Sequence, residues 1–198
     1  AKWFGFCPSP SCDSSLPLEE SHAPSPGPAH EPFRPSWLTS AVEPFQELAD
    51  LRPEDQQRIE LASAELNRVL GGGVVPGSVM LLAGEPGVGK STLLLQVAQH
   101  FSASGQTVVY VSGEESAHQV KLRSQRLGFS GEGIFLLAET DVELILDRLE
   151  ESRPSLVIID SVQTLYTTEA PSGPGSVVQV RECALRLMRW AKTRNVPV

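Results

Sequence analysis

The run Gly84-Glu85-Pro86-Gly87-Val88-Gly89-Lys90-Ser91-Thr92 restricts what this chain can fold into more than any other feature. Through Ser91 it fits G-x-x-x-x-G-K-[ST] in full, directly after an apolar run, Val79 to Ala83, and directly before a helical pattern, Lys90 to Ala103. Glycines let backbone N–H groups curl round an anion, the helix N-terminus adds the positive end of its dipole, and Lys90 adds a mobile charge. The sequence therefore predicts a strand, a phosphate cradle over residues 84–92 and a helix, in that order. A nucleotide, ATP, is the expected occupant, with Lys90 on its phosphates and Ser91 holding Mg2+.

The chain beyond Ser78 keeps this alternation. Thr107 to Ser112, Ile134 to Ala138 and Leu156 to Asp160 read as short strands, and Ala117 to Leu127 and Asp141 to Ser152 as helices between them. The second of these helices is expected to open on a capping box of Thr140 and Glu143. Continuous apolar strands separated by helices imply an α/β fold, with a mainly parallel sheet buried on both faces and right-handed crossovers. In such a sheet Asp160 stands at the carboxyl end of its strand beside the cradle, where it orients the water shell of Mg2+. Hydrolysis also needs a group that orients or deprotonates the attacking water. Glu114 and Glu115 follow Val108-Val109-Tyr110-Val111-Ser112-Gly113 and reach the same edge. Glu114, nearer the strand end, is the expected base; the plainer alternative is that both acids open the next helix, where its dipole favours them.

The pattern from Val177 to Thr193 is a two-faced helix. Val177, Val180, Ala184, Leu187, Met188 and Ala191 fall on one stripe, and Arg181, Arg186, Arg189 and Lys192 on an adjoining arc. The formal charge of the chain is −8, from 16 Lys+Arg against 24 Asp+Glu, which excludes coating nucleic acid by bulk attraction and makes any such contact local. The basic arc is a candidate for DNA phosphates, for the acids of a neighbouring subunit, or for simple solvation. Before it, Thr167 to Ser176, with Pro171, Gly173, Pro174 and Gly175, reads as a mobile loop of the kind that often carries binding.

Upstream, eight of the 16 prolines lie between Pro8 and Pro35, a linker composition. The reading is a segment 1–20, a linker 21–47, and an α/β domain 48–198 whose helix-like stretch Glu65 to Leu70 is stopped by Gly71, Gly72 and Gly73. Cys7 and Cys12 sit four residues apart, within the loose ligand spacing of zinc sites, which makes Zn2+ a candidate although two thiolates do not complete a tetrahedral site. Cys183 is the remaining cysteine and reads as a buried small residue. So few cysteines, with no signal peptide visible after Ala1, point to a reducing, cytoplasmic setting. The longest apolar runs fall far short of the ~20 residues that cross a bilayer, so no membrane role is expected. Asn195-Val196-Pro197-Val198 reads as the start of a further strand, and the sequence as a fragment of something longer.

These residues resemble the bacterial DNA-repair members of the RecA-like ATPases. The resemblance covers nearly the whole chain. Ala1-Lys2-Trp3-Phe4-Gly5 with Cys7-Pro8 resembles the second knuckle of the family's zinc finger, and Glu65 to Ser78 the approach to its phosphate loop. Tyr110-Val111-Ser112-Gly113-Glu114-Glu115-Ser116 and Asp160-Ser161-Val162-Gln163-Thr164 resemble its glutamate and Walker B segments. The resemblance implies a DNA-dependent ATPase that assembles as a ring, a hexamer, on single-stranded or branched DNA. It further implies branch migration of recombination intermediates and work alongside a RecA-type recombinase. Two departures stand out. The family's finger has two Cys-x-x-Cys knuckles, whereas this sequence lacks the first and spaces the second as Cys-x-x-x-x-Cys; the family's Lys-Asn-Arg-Phe-Gly motif and protease-like domain are also not in this sequence. A RecA-like ATPase that acts on protein partners, as the circadian KaiC proteins do, would carry the same glutamate pair and is the alternative.

Overall fold

A computed structural model of the chain describes residues 45, 47–50 and 57–198. Cys7, Cys12 and, apart from residues 45 and 47, the proline-rich segment lie outside them. The described domain alternates as expected: α1 (Ala64–Val69), α2 (Lys90–Ala103), β1 (Val108–Ser112), α3 (Ala117–Arg126), β2 (Ile134–Leu137), α4 (Val142–Ser152), β3 (Leu156–Asp160) and α5 (Val177–Arg194). The three strands form one parallel sheet in the order β2-β1-β3, with Val108 opposite both Ile134 and Leu156, and Ser112 opposite Asp160.

Strand alternation divides the core in two. Val108, Tyr110, Leu156 and Ile158 point to one face and pack with Leu95, Ala98 and Phe101 of α2 and Val120 of α3. Val109, Val111 and Val157 point to the other and pack with Val142, Ile145 and Leu149 of α4 and Cys183, Leu187 and Trp190 of α5. The result is three layers, helices on both faces of a parallel sheet, which is why all five residues of β1 are buried although the strand carries almost no polar alternation.

Four expectations are corrected. Val79 to Ala83 is not a strand: Ser78 and Met80 exchange backbone hydrogen bonds with Val198 alone, too short a ladder, and Leu81 remains 81% exposed. Those bonds, with Val157 N–H donating to Pro197 at 3.0 Å, nevertheless run the sheet on from β3 through residues 196–198 to residues 78–80. The cap of α4 is Asp141, whose side chain accepts from the Glu143 amide, and not Thr140; the helix begins at Val142, one residue later than expected, which puts the carboxylate of Asp141 at the N-cap and the Glu143 amide at the second helical position. The capping box falls instead at α3, between Ser116 and Gln119. The buried face of α5 holds Gln179, Cys183, Leu187, Trp190 and Ala191, while Val177 is 84% exposed. The expected stripe shares Leu187 and Ala191 with this face; Gln179 joins it because its amide is satisfied by backbone groups of residues 167–172, and Trp190 because its Nε1 donates to Glu150 at 2.8 Å.

Gln179 also corrects the view of Thr167 to Ser176 as mobile. Its amide accepts from the Thr167 N–H and donates to the carbonyls of Thr167, Ala170 and Ser172 at 2.7–3.3 Å. Arg186 adds an ion pair to Glu143 at 2.8 Å and another to Glu169, and the Thr167 hydroxyl donates to Glu143. The loop is strapped to α4 and α5 despite its prolines and glycines.

Candidate nucleotide site

The segment from Gly84 to Gly89 is exposed, and α2 starts from it with Gly89 as its N-cap. Gly87 and Gly89 take φ of +80° and +101°, a conformation that side-chain-bearing residues rarely adopt. No side chain caps α2, so its first amides are left to whatever the cradle receives. Lys90 Nζ donates to the carbonyls of Gly84 and Glu85, both at 2.9 Å, which folds the ammonium back onto the start of the loop. Ser91 and Thr92 are half-buried in the first turn of α2. A positive-φ glycine turn, a helix N-terminus without a side-chain cap and a lysine ammonium form an arrangement whose chemistry suits an anion such as phosphate.

Helix α2 packs against β1 and β3, the strands that carry Glu114 and Asp160 at or just past their carboxyl ends. Asp160 ends β3 with one carboxylate oxygen, Oδ2, accepting from the Tyr110 hydroxyl at 2.6 Å. Burial, and then this bond to Asp160, pushes the Tyr110 hydroxyl well above its ordinary range, so that it remains a donor. The serine hydroxyl at position 91 and the carboxylate at 160 are hard oxygen donors, the chemistry that suits Mg2+, and among the described residues Asp160 Oδ1 has no hydrogen-bond partner to compete with it. A site of this kind does not need a cage of carboxylates, and none of three or more His, Cys, Asp or Glu exists among the described residues.

The two glutamates after β1 part company. Glu114 is exposed at the sheet edge and accepts from the Ser161 hydroxyl, the residue next to Asp160, at 2.9 Å. Glu115 turns inward to Arg123 on α3 at 2.5 Å, and its backbone is gripped on both N–H and C=O by the Ser112 hydroxyl. Gly113 makes the turn possible. A Cβ there would stand 2.0 Å from Thr164 Oγ1, so only glycine lets β1 pass the short helix Val162–Thr164. A cleft of about 290 Å³, lined by Gly113, Glu114, Glu115, Glu139 and Thr140, opens at this edge.

The structure thus gathers Asp160 and Glu114 through Ser161, and brings α2 onto the strands that carry them. It does not gather the basic arc of α5 as one strip: Arg181 and Lys192 are exposed, Arg189 is half-buried, and Arg186 is spent on Glu143 and Glu169. Tyr110, Ser161, Arg123 and Gly113 escaped sequence reasoning. A tyrosine in an otherwise aliphatic buried strand was the available signal for the first; Ser161 and Gly113 depend on neighbours about 50 residues away, and Arg123 on the turn that aims Glu115 at α3.

A parallel α/β sheet with a glycine-rich cradle, a lysine and a strand-end aspartate defines the RecA-like P-loop core. The chain belongs to the AAA domain family, which it matches over residues 43–198. It is similar to proteins named DNA repair protein RadA: 43% identical over 197 residues to that of Bacillus subtilis (strain 168), covering 100% of this chain and 42% of the relative. The RadA of Aquifex aeolicus (strain VF5) is 42% identical over 198 residues, with 99% and 42% covered, and that of Streptococcus pneumoniae 49% identical over 161 residues, with 81% and 38% covered. The chain spans about two fifths of the length of these relatives.

Proposed function

We propose that this domain binds ATP and hydrolyses it, and that in the whole protein the hydrolysis drives DNA repair. The observation that carries the reading is the divergence of the glutamate pair, one member held at the sheet edge next to Asp160 and the other sequestered by Arg123. Lys90 and the amides of residues 84–92 hold the phosphates. Ser91 and Asp160 would hold Mg2+, which supplies positive charge against the phosphate oxygens. Glu114 orients the attacking water and takes its proton, while Glu115 fixes the turn from which Glu114 projects.

The DNA part rests on similarity to relatives named for DNA repair and on the exposed cations Arg181 and Lys192. It includes a hexameric ring on single-stranded or branched DNA, branch migration of recombination intermediates, and cooperation with a RecA-type recombinase. The deciding experiment is ATP hydrolysis by the full-length protein with and without single-stranded DNA. Stimulation is the expected result. Hydrolysis indifferent to DNA overturns the DNA reading and leaves a motor directed at protein partners; no hydrolysis in either condition overturns the ATPase itself.

A further inference from the structure

Tyr110 stands in the middle of β1 with 0% of its surface exposed, in the apolar layer formed with Leu95, Ala98 and Phe101 of α2. A buried phenol in such a place costs free energy unless its hydroxyl donates, so packing alone would favour phenylalanine. The hydroxyl does donate, to Asp160 Oδ2 at 2.6 Å. Register explains how. Tyr110 lies opposite Ile158, and Asp160 is two positions further along β3 on the same face, a diagonal that a phenol can span and a shorter side chain cannot.

We infer that Tyr110 is a positioning residue for the divalent ion of the nucleotide site, holding the Asp160 carboxylate in one orientation through Oδ2 and leaving Oδ1 to the hydrated metal. This rests on the nucleotide reading given above. A carboxylate at a strand end can rotate about its terminal bond. A charge-assisted hydrogen bond from a side chain that is itself locked in the core removes that freedom before the ion arrives. The donor comes from β1, the strand that also delivers Glu114, so one strand sets both the carboxylate that faces the metal and the one that faces the water.

The test is binding of a fluorescent ADP analogue by the chain, titrated with Mg2+. Tyr110→Phe should leave affinity without divalent ion within about twofold of the parent, because the cradle is untouched, and raise half-saturating Mg2+ by about tenfold, the scale of a mutated partner of a metal ligand. Asp160→Asn should raise it at least as much, and the double variant no further than Asp160→Asn alone, since a residue acting through Asp160 has nothing left to position. A parent-like Mg2+ midpoint in Tyr110→Phe, or effects that simply add, overturns the inference. Should Tyr110→Phe fold poorly, fluorine NMR of chain carrying 3-fluorotyrosine reads the same point without a core mutation. The sequence has 2 tyrosines, and Tyr166→Phe assigns the signals. The Tyr110 signal should move when Mg2+ joins ADP and not with ADP alone; a signal blind to Mg2+ overturns the inference. If the parent binds ADP but Mg2+ leaves that affinity unchanged, the metal site and this inference fall while the nucleotide reading stands; if the parent binds no ADP in either condition, the nucleotide reading itself falls and the inference with it.

Discussion

At the scale of single residues, the site separates side chains that were legible from those that were not. Lys90, Ser91, Asp160 and Glu114 were legible as candidates because each sits at a fixed offset from a strand end or a glycine turn, and offset is what a sequence displays. Tyr110 and Ser161 were not, because their partners lie 50 and 47 residues away. The geometry sharpens two tests. Lys90→Ala removes the one cation folded over the cradle, so the affinity for a fluorescent ATP analogue should fall by at least tenfold; parent-like binding would sink the cradle assignment. Glu114→Gln should keep nucleotide binding while turnover drops by about 10² or more, the usual scale for a positioned base. Glu115→Gln should instead weaken the grip of Arg123 and lower thermal stability with a smaller loss of turnover, and a reversed order in steady-state rates would exchange the roles. Cys183 gives a pH signature. Burial, with the negative charge of Glu143 behind it, pushes its thiol from 9.0 up to about 11. The folded chain therefore holds this proton more tightly than the unfolded one. Its contribution is complete below pH 9 and disappears as the pH rises to about 11. Thermal melts across that window should show stability falling, and Cys183→Ala should flatten that part of the fall.

At the scale of elements, helix α2 was legible to the residue, since a glycine turn opens it and its apolar spacing carries it to Ala103. The strand expected at Val79 to Ala83 was not realised, because a strand is a property of a pair, and apolar composition says nothing about how many residues the neighbour offers. The loop before α5 failed for a related reason. Proline and glycine counts describe the freedom of an isolated segment, whereas Gln179 on α5 satisfies four of the loop's backbone groups at once. Truncating it strands buried polar atoms at about 1–3 kcal/mol each, some of which water will recover. Gln179→Ala should therefore destabilise the domain by about 2–4 kcal/mol and lower Tm by roughly 5–10 °C. Hydrogen exchange at the Thr167 amide should accelerate by at least tenfold. Unchanged exchange there would mean that the loop is held by its own backbone and by Arg186, and that the glutamine merely fills space.

At the scale of the whole molecule, an acidic chain must confine any attraction for DNA to particular side chains, and the structure narrows which ones. Arg186 lies between Glu143 and Glu169, so neutralising it should act on stability through the strap and leave little signature in DNA binding. Arg181 and Lys192 are exposed on α5 and carry the prediction. Each phosphate contact releases condensed counterions, so replacing both with Ala in the full-length protein should flatten the slope of log affinity against log salt by about 1–2 units. Base preference should not change, since phosphates carry no base information. If α5 instead faces an adjacent subunit, the same double variant breaks the assembly in sedimentation while the salt slope of the remaining DNA affinity stays at its parent value. That outcome would take α5 out of the DNA interface. It would transfer the question to the strapped loop over residues 167–176, whose tip beyond Ser172 is free of the Gln179 bonds that hold its base.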